Sequence, residues 1–175
     1  VLAAGRTNIV WGRGNSVAPL LLIGEAPGED EDREGSPFVG RSGQLLNEAL
    51  SVVGLTEDQF YIVNTVKCRP PGNRNPSRTE MGACFPFLVS QMYRKQVFVF
   101  LGKIAAEYLL QRQVRITKEN GYIEQLPGGA LGVLAFHPAY VLRNRSPETK
   151  AAFFQAIRTA KEIAYGCDSQ SGGTL

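Results

Sequence analysis

"PLLLIGEAPGE", residues 19–29, decides the fold. Leu20 to Ile23 form an unbroken aliphatic run that stops at Gly24, and Pro27 and Gly28 hold the chain in a constrained turn just beyond. A run without alternation between apolar and polar residues is what a strand buried on both faces of a parallel sheet requires. Three more runs share this character: FYIVNTV (60–66), VFVFLG (97–102) and LGVLAF (131–136). Segments of helical spacing separate them. Leu45, Leu46, Ala49, Leu50 and Val53 make one stripe, Ala105, Ala106, Leu109 and Leu110 another; Cys84 to Met92 and Ala151 to Ala164 make two more. Strand and helix alternating four times predict a three-layer α/β/α sandwich around a four-stranded, mainly parallel sheet. Residues 112–130 read as a turn-rich excursion.

A chain of 175 residues fits one domain, placed at 1–168, with a flexible tail at 169–175. No run approaches the ~20 apolar residues of a membrane span, so no membrane role is expected. Three cysteines without a disulfide-framework spacing point to a reducing, cytoplasmic setting, and a monomer is expected. Net charge is +3, but outside residues 25–34 there are 18 Lys/Arg against 10 Asp/Glu. A basic body with one acidic indentation suits a polyanion that presents a neutral part to a carboxylate; a merely solvated surface fits the charge equally well.

In parallel sheets ligands bind beyond the carboxyl ends of the strands. The informative residues are therefore GEAPGE (24–29), Asn64 with KCRPP (67–71), GK (102–103) and HPAY (137–140). Gly35 to Ser42 falls short of a P-loop: Arg41 stands where Lys is needed, and eleven loop residues separate it from the strand. The acidic run lacks the ligand order of an EF-hand, and most of its carboxylates read as solvated. Glu25 differs, being pinned between Gly24 and Ala26 at a strand end, where it either holds a water or caps a turn. His137, the only histidine, ends a strand, with Pro138 restricting its backbone. Asn64 interrupts an apolar strand, either to tie loops together or to read a flat heterocycle. Phe38, in a Gly/Pro-rich loop, packs inward or stacks on a ligand. Cys68 and Cys84 bracket a basic, proline-stiffened loop and point to a shared metal centre, for which two ligands are too few.

Taken together, GEAPGEDEDREGSPFVGRSGQLL, NTVKCRPPGNRNP with Cys84, and FHPAYVLRN resemble the family 4 uracil-DNA glycosylases over essentially the whole chain. The resemblance implies hydrolysis of the N-glycosidic bond of deoxyuridine in DNA and a 4Fe–4S cluster held by four cysteines. Carried over, Phe38 stacks on a flipped uracil, Asn64 reads its edge, and Ala26 and Gly28 wall the pocket. His137 faces O2, Glu25 is the motif carboxylate, and Glu31 is a second acid candidate. Relatives outside the family carry a water-activating Asp where Ala26 stands, so either acid can take that role. The family's Cys-x-x-Cys pair precedes GRT (5–7); here VLAA stands there, which places the missing cysteines before Val1 and leaves Cys68 and Cys84 as half a site. Cys167 is a poor substitute. Arg69, Arg74, Arg78 and Ser42 are expected on DNA phosphates, and Leu142, Arg143 and Arg145 at the space that the flipped base vacates. Two other readings remain at this point: a non-catalytic DNA-binding or iron–sulfur sensor domain, and a nucleotide hydrolase using Arg41 and Ser42.

Overall fold

Every residue from 20 to 24 and from 97 to 101 is buried, as the unbroken aliphatic runs require. The computed structural model describes residues 2–166; Cys167 and the expected tail at 169–175 lie outside the described residues. Six strands form one mixed sheet: β1 (Arg13–Gly14), β2 (Leu20–Gly24), β3 (Phe60–Asn64), β4 (Val97–Leu101), β5 (Ile123–Gln125) and β6 (Leu131–Ala135). Their order is β1-β3-β2-β4-β6-β5. The inner four are parallel, as the sequence predicts, and β1 and β5 add antiparallel edges. The four-stranded expectation is thereby corrected to six. The missed strands are two and three residues long, too short for any periodicity to show.

Helices cover both faces: α1 (Glu29–Glu34), α2 (Arg41–Val52), α3 (Arg78–Met92), α4 (Lys103–Leu110), α5 (Ile116–Glu119), α6 (Pro138–Asn144) and α7 (Pro147–Tyr165). Because successive strand residues point to opposite faces, Leu20 and Leu22 pack with α2 and α7, while Leu21 and Ile23 pack with α3 and α4. The turn-rich excursion holds α5 and β5, the latter hydrogen-bonded to β6.

Residues 29–34, read as loop in the sequence, are helical. Glu31 reaches back to the N-cap, accepting from the Gly28 N–H at 3.0 Å, and Gly35 ends the helix in the left-handed conformation, φ 74°. Four acidic residues in the first turn face the positive end of the helix. Glu29, Asp30 and Glu34 keep exposed side chains, as expected, but one carboxylate departs from that reading. Asp32 is buried and accepts from the Thr7 N–H at 3.0 Å and the Asn8 N–H at 3.2 Å. Burial raises its pKa, but those donors and the Arg69 charge outweigh this and leave it lowered. Asp32 thus fastens the N-terminal segment to α1.

Candidate active site

The strand register explains why distant residues meet. Gly24 of β2 pairs with Asn64 of β3, and Leu101 of β4 with Ala135 of β6, so all four strands end at one edge. Glu25, Asn64 and His137 project there into a cavity of about 570 Å³ that Ala26, Gly28, Glu31, Phe38 and Ser42 also line.

His137 is the N-cap of α6, with Pro138 at the first helical position; its Nδ1 accepts from the Ala139 N–H at 3.1 Å. Burial, and then the Arg143 guanidinium, push the imidazole down to about 4. A neutral ring whose Nδ1 accepts must carry its proton on Nε2. The local backbone thus makes His137 a neutral N–H donor.

Asn64 is 2% exposed, and its Oδ1 is buried without a hydrogen-bond partner among the described residues. A buried carbonyl oxygen left unpaired costs roughly 1–3 kcal/mol, which a ligand donor would recover. Phe38, at φ 56°, holds its ring 6.1 Å from that of His137, tilted by 35°. A Cβ on Gly24 would come within 2.4 Å of Asn64 Oδ1 and 2.6 Å of Phe38 Cζ, so only glycine lets both approach the strand end.

Glu25 lines the cavity, and burial raises its pKa. Its backbone carbonyl is held by the Thr65 hydroxyl at 2.5 Å, which fixes the direction of the strand end. Glu31 also lines the cavity, but both its oxygens are occupied: Oε2 by the Gly28 N–H, Oε1 by the Val39 and Gly40 N–H groups, each at 3.1 Å. It braces the loop that carries Phe38.

Gly43 in α2 supports the same loop from behind. A Cβ there would lie 1.8 Å from the Phe38 carbonyl oxygen, a contact with rigid backbone that no rotamer relieves. Gly43→Ala is therefore expected to lower the melting temperature by several degrees and to displace Phe38. Thermal unfolding and fluorescence-monitored binding of free uracil test this; a variant with wild-type values in both shows that the loop adapts freely.

The arginines are distributed unevenly. Arg143 and Arg74 line the cavity, Arg74 while paired with Glu80 at 2.6 Å. That pair and the Ser77 cap hold the Glu80 carboxyl down to about 2. Arg69 is paired with Glu29 at 3.0 Å, and Arg78 is exposed at the start of α3. Leu142 and Arg145 lie outside this cavity, in a neighbouring one.

Cys68 and Cys84 line one apolar cavity of about 260 Å³ that Leu2, Arg6, Trp11 and Lys67 share. Arg6 Nη1 donates to Cys68 Sγ at 3.4 Å, and the Lys67 N–H to Cys84 Sγ at 3.5 Å. Converging N–H donors and a buried cation suit anionic sulfur ligands, so the residues present fit half of a thiolate-held cluster. Among the described residues no three His, Cys, Asp or Glu side chains meet to bind a metal ion. Sequence reading includes Lys67 in the informative KCRPP stretch but gives it no role; its buried Nζ donates to the Asn64 carbonyl at 2.7 Å and to Gln91 Oε1 at 2.5 Å. Its one signal was a lysine in the run between Asn64 and Cys68.

An aromatic ring, a carbonyl oxygen without a partner among the described residues and a neutral N–H donor surround one recess, an arrangement complementary to the edge of a flat heterocycle. Residues 11–161 match the uracil DNA glycosylase superfamily. The chain is 43% identical to the type-4 uracil-DNA glycosylase of Thermotoga maritima, over 93% of this chain and 86% of that protein. It is 41% identical to the type-4 enzyme of Pyrobaculum aerophilum, over 79% and 75%. With that of Archaeoglobus fulgidus it shares 41% identity over 78% and 73%. The chain belongs to the type-4 uracil-DNA glycosylases.

Proposed function

We propose that this protein excises uracil from DNA, hydrolysing the N-glycosidic bond and leaving an abasic site. The observation that carries this reading is the buried Asn64 Oδ1, without a partner among the described residues, beside the Phe38 ring and the neutral His137 N–H. Uracil offers a donor at N3 and acceptors at O2 and O4, which complement that arrangement edge for edge.

A uracil inside a duplex is out of reach and must be flipped into the cavity, with Phe38 stacking on it in place of its neighbours. Asn64 Oδ1 accepts from N3–H while its amide nitrogen donates to O4. As the C1′–N1 bond lengthens, the sugar gains oxocarbenium character and the electron pair moves onto the base. His137 Nε2–H donates to O2, where the negative charge collects, so its bond strengthens in the transition state. Glu25 offsets the positive sugar and positions a water, whose oxygen bonds to C1′ as its proton passes to the carboxylate; a proton taken up by the departing uracil anion completes the hydrolysis. Glu31, its oxygens already occupied, is the residue that holds the loop. Ala26 and Gly28 wall the pocket, and Ser42, Arg69, Arg74, Arg78, Leu142, Arg143 and Arg145 engage the DNA.

A single-turnover assay on a uracil-containing oligonucleotide tests the activity directly. Alkali-labile abasic sites are expected from the wild type, and Glu25→Gln is expected to be slowed by about 10²-fold. No abasic product from the wild type would favour a binding domain; an unimpaired Glu25→Gln would move the water-positioning role elsewhere.

Cys68 and Cys84 would supply two of the four ligands that a 4Fe–4S cluster takes. When bound, the cluster would clamp the loop between the two cysteines, with Arg69 and Arg74, to the N-terminal segment. Purified anaerobically in its full-length form, the protein is expected to contain about four irons. Cys68→Ser is expected to lose iron and weaken DNA binding more than it alters binding of free uracil. A single zinc, or no iron, overturns the cluster while leaving the glycosylase activity to stand or fall separately.

A further inference from the structure

Beside α6, a second cavity of about 580 Å³ opens between α2 and the corner where α6 passes into α7. Leu45, Val141, Leu142 and Pro147 give it apolar walls, and Arg41 and Arg145 line it with positive charge. Arg41 also lines the uracil cavity, so the two recesses share a wall. Another part of the lining is already neutralised: Lys150 and Glu48 are ion-paired at 2.7 Å.

Within this lining Lys150 is held by Glu48, whereas the Arg41 and Arg145 side chains, like that of Arg143 on the adjoining cavity, have neither a hydrogen-bond nor an ion-pair partner among the described residues. An apolar recess with unpaired guanidinium groups suits a ligand that is flat and apolar in one part and anionic in the next. A nucleotide has that form: the base meets aliphatic carbon, and the phosphates meet arginine. In a DNA strand whose uracil occupies the first cavity, each adjoining nucleotide is tethered one backbone step away, and the shared Arg41 wall gives one of them a path into the second.

We propose that this second cavity is a subsite for the base adjoining the flipped uracil on the same strand, with Arg41 and Arg145 on its flanking phosphates. The proposal rests on the uracil-excision reading and adds to it a second base that the protein holds outside the stack. In this geometry Leu142 is a wall of the subsite, not a wedge in the space the uracil leaves.

Three single-stranded oligonucleotides test it. One has uracil between normal nucleotides, one has the 5′ neighbour replaced by an abasic tetrahydrofuran, and one has the 3′ neighbour so replaced. For the wild type, kcat/KM is expected to fall about tenfold for one of the two replacements and little for the other, the size expected for loss of one base contact. Arg145→Ala, and Gln44→Trp, which fills the groove from an exposed position of α2, are expected to excise more slowly from the intact oligonucleotide. Both should no longer distinguish it from the sensitive abasic one. Equal rates for all three substrates, equal losses on both sides, or an undiminished distinction in both variants overturns the subsite. So does a dependence seen only in duplex and only on the opposite base. Absence of excision from all three substrates is a different result and counts against the glycosylase activity itself.

Discussion

His137→Ala is expected to slow single-turnover uracil excision by roughly 10²–10³-fold while leaving affinity for uracil-containing DNA nearly unchanged. The asymmetry follows from what the ring does. Its Nδ1 is engaged by the Ala139 N–H, so its Nε2–H is the group left for the base. That bond matters most once charge has moved onto O2, which occurs on the way to the transition state and not in the bound substrate. Because burial and Arg143 push the imidazole down to about 4, the wild-type rate should show no inflection near pH 6.5 from this residue. Stability carries the complementary signature. Between about pH 6.5 and 4 the unfolded imidazole binds a proton that the folded one refuses, so stability falls as pH falls through that window. The alanine variant lacks that part of the slope. Rapid-quench rates from pH 5 to 8 and urea unfolding at pH 7 and 5 measure both effects; a variant with near wild-type rate removes His137 from the chemistry.

Asn64→Ala is expected to abolish most discrimination for uracil, by a factor that can approach about 10⁴. Cytosine presents an acceptor at N3 and a donor at its exocyclic amine, the reverse of uracil at both positions. Cytosine would therefore leave the buried Oδ1 facing a lone pair, and the cost of two unpaired groups sets the ratio. Asn64→Asp replaces the donating nitrogen by oxygen. It is expected to weaken uracil excision and to permit measurable excision of cytosine. Competition between uracil- and cytosine-containing oligonucleotides gives the ratio directly. Unchanged uracil selectivity in Asn64→Ala would make the amide a structural tie between strand ends.

How much of this was legible depended on how local the cause was. The inner strands lie where the aliphatic runs stand because burial on both faces leaves a mark in every residue. The helix of residues 29–34 left no such mark: six charged residues have no apolar period, and what stabilises them is a backbone N–H at Gly28 and a left-handed glycine at 35. The sequence sets Glu25 apart at a strand end but leaves Glu31 as a second acid candidate. The two separate when three backbone N–H groups are seen on Glu31 and, among the described residues, no side-chain hydrogen bond on Glu25. Arg74 and Arg145 read alike as DNA-binding cations until one is found locked to Glu80 and the other unpaired among the described residues.

By itself, then, the sequence determined the parallel sheet, the edge where its functional residues gather, and the family motifs at that edge, because strand burial and turn chemistry are written residue by residue. Tertiary structure alone decided which His137 nitrogen accepts a backbone N–H, the Asn64 oxygen's lack of a partner among the described residues, the different surroundings of the two glutamates and the shared wall between two cavities. Each of these depends on which groups from distant parts of the chain come within hydrogen-bonding distance, and on how much water they exclude when they do.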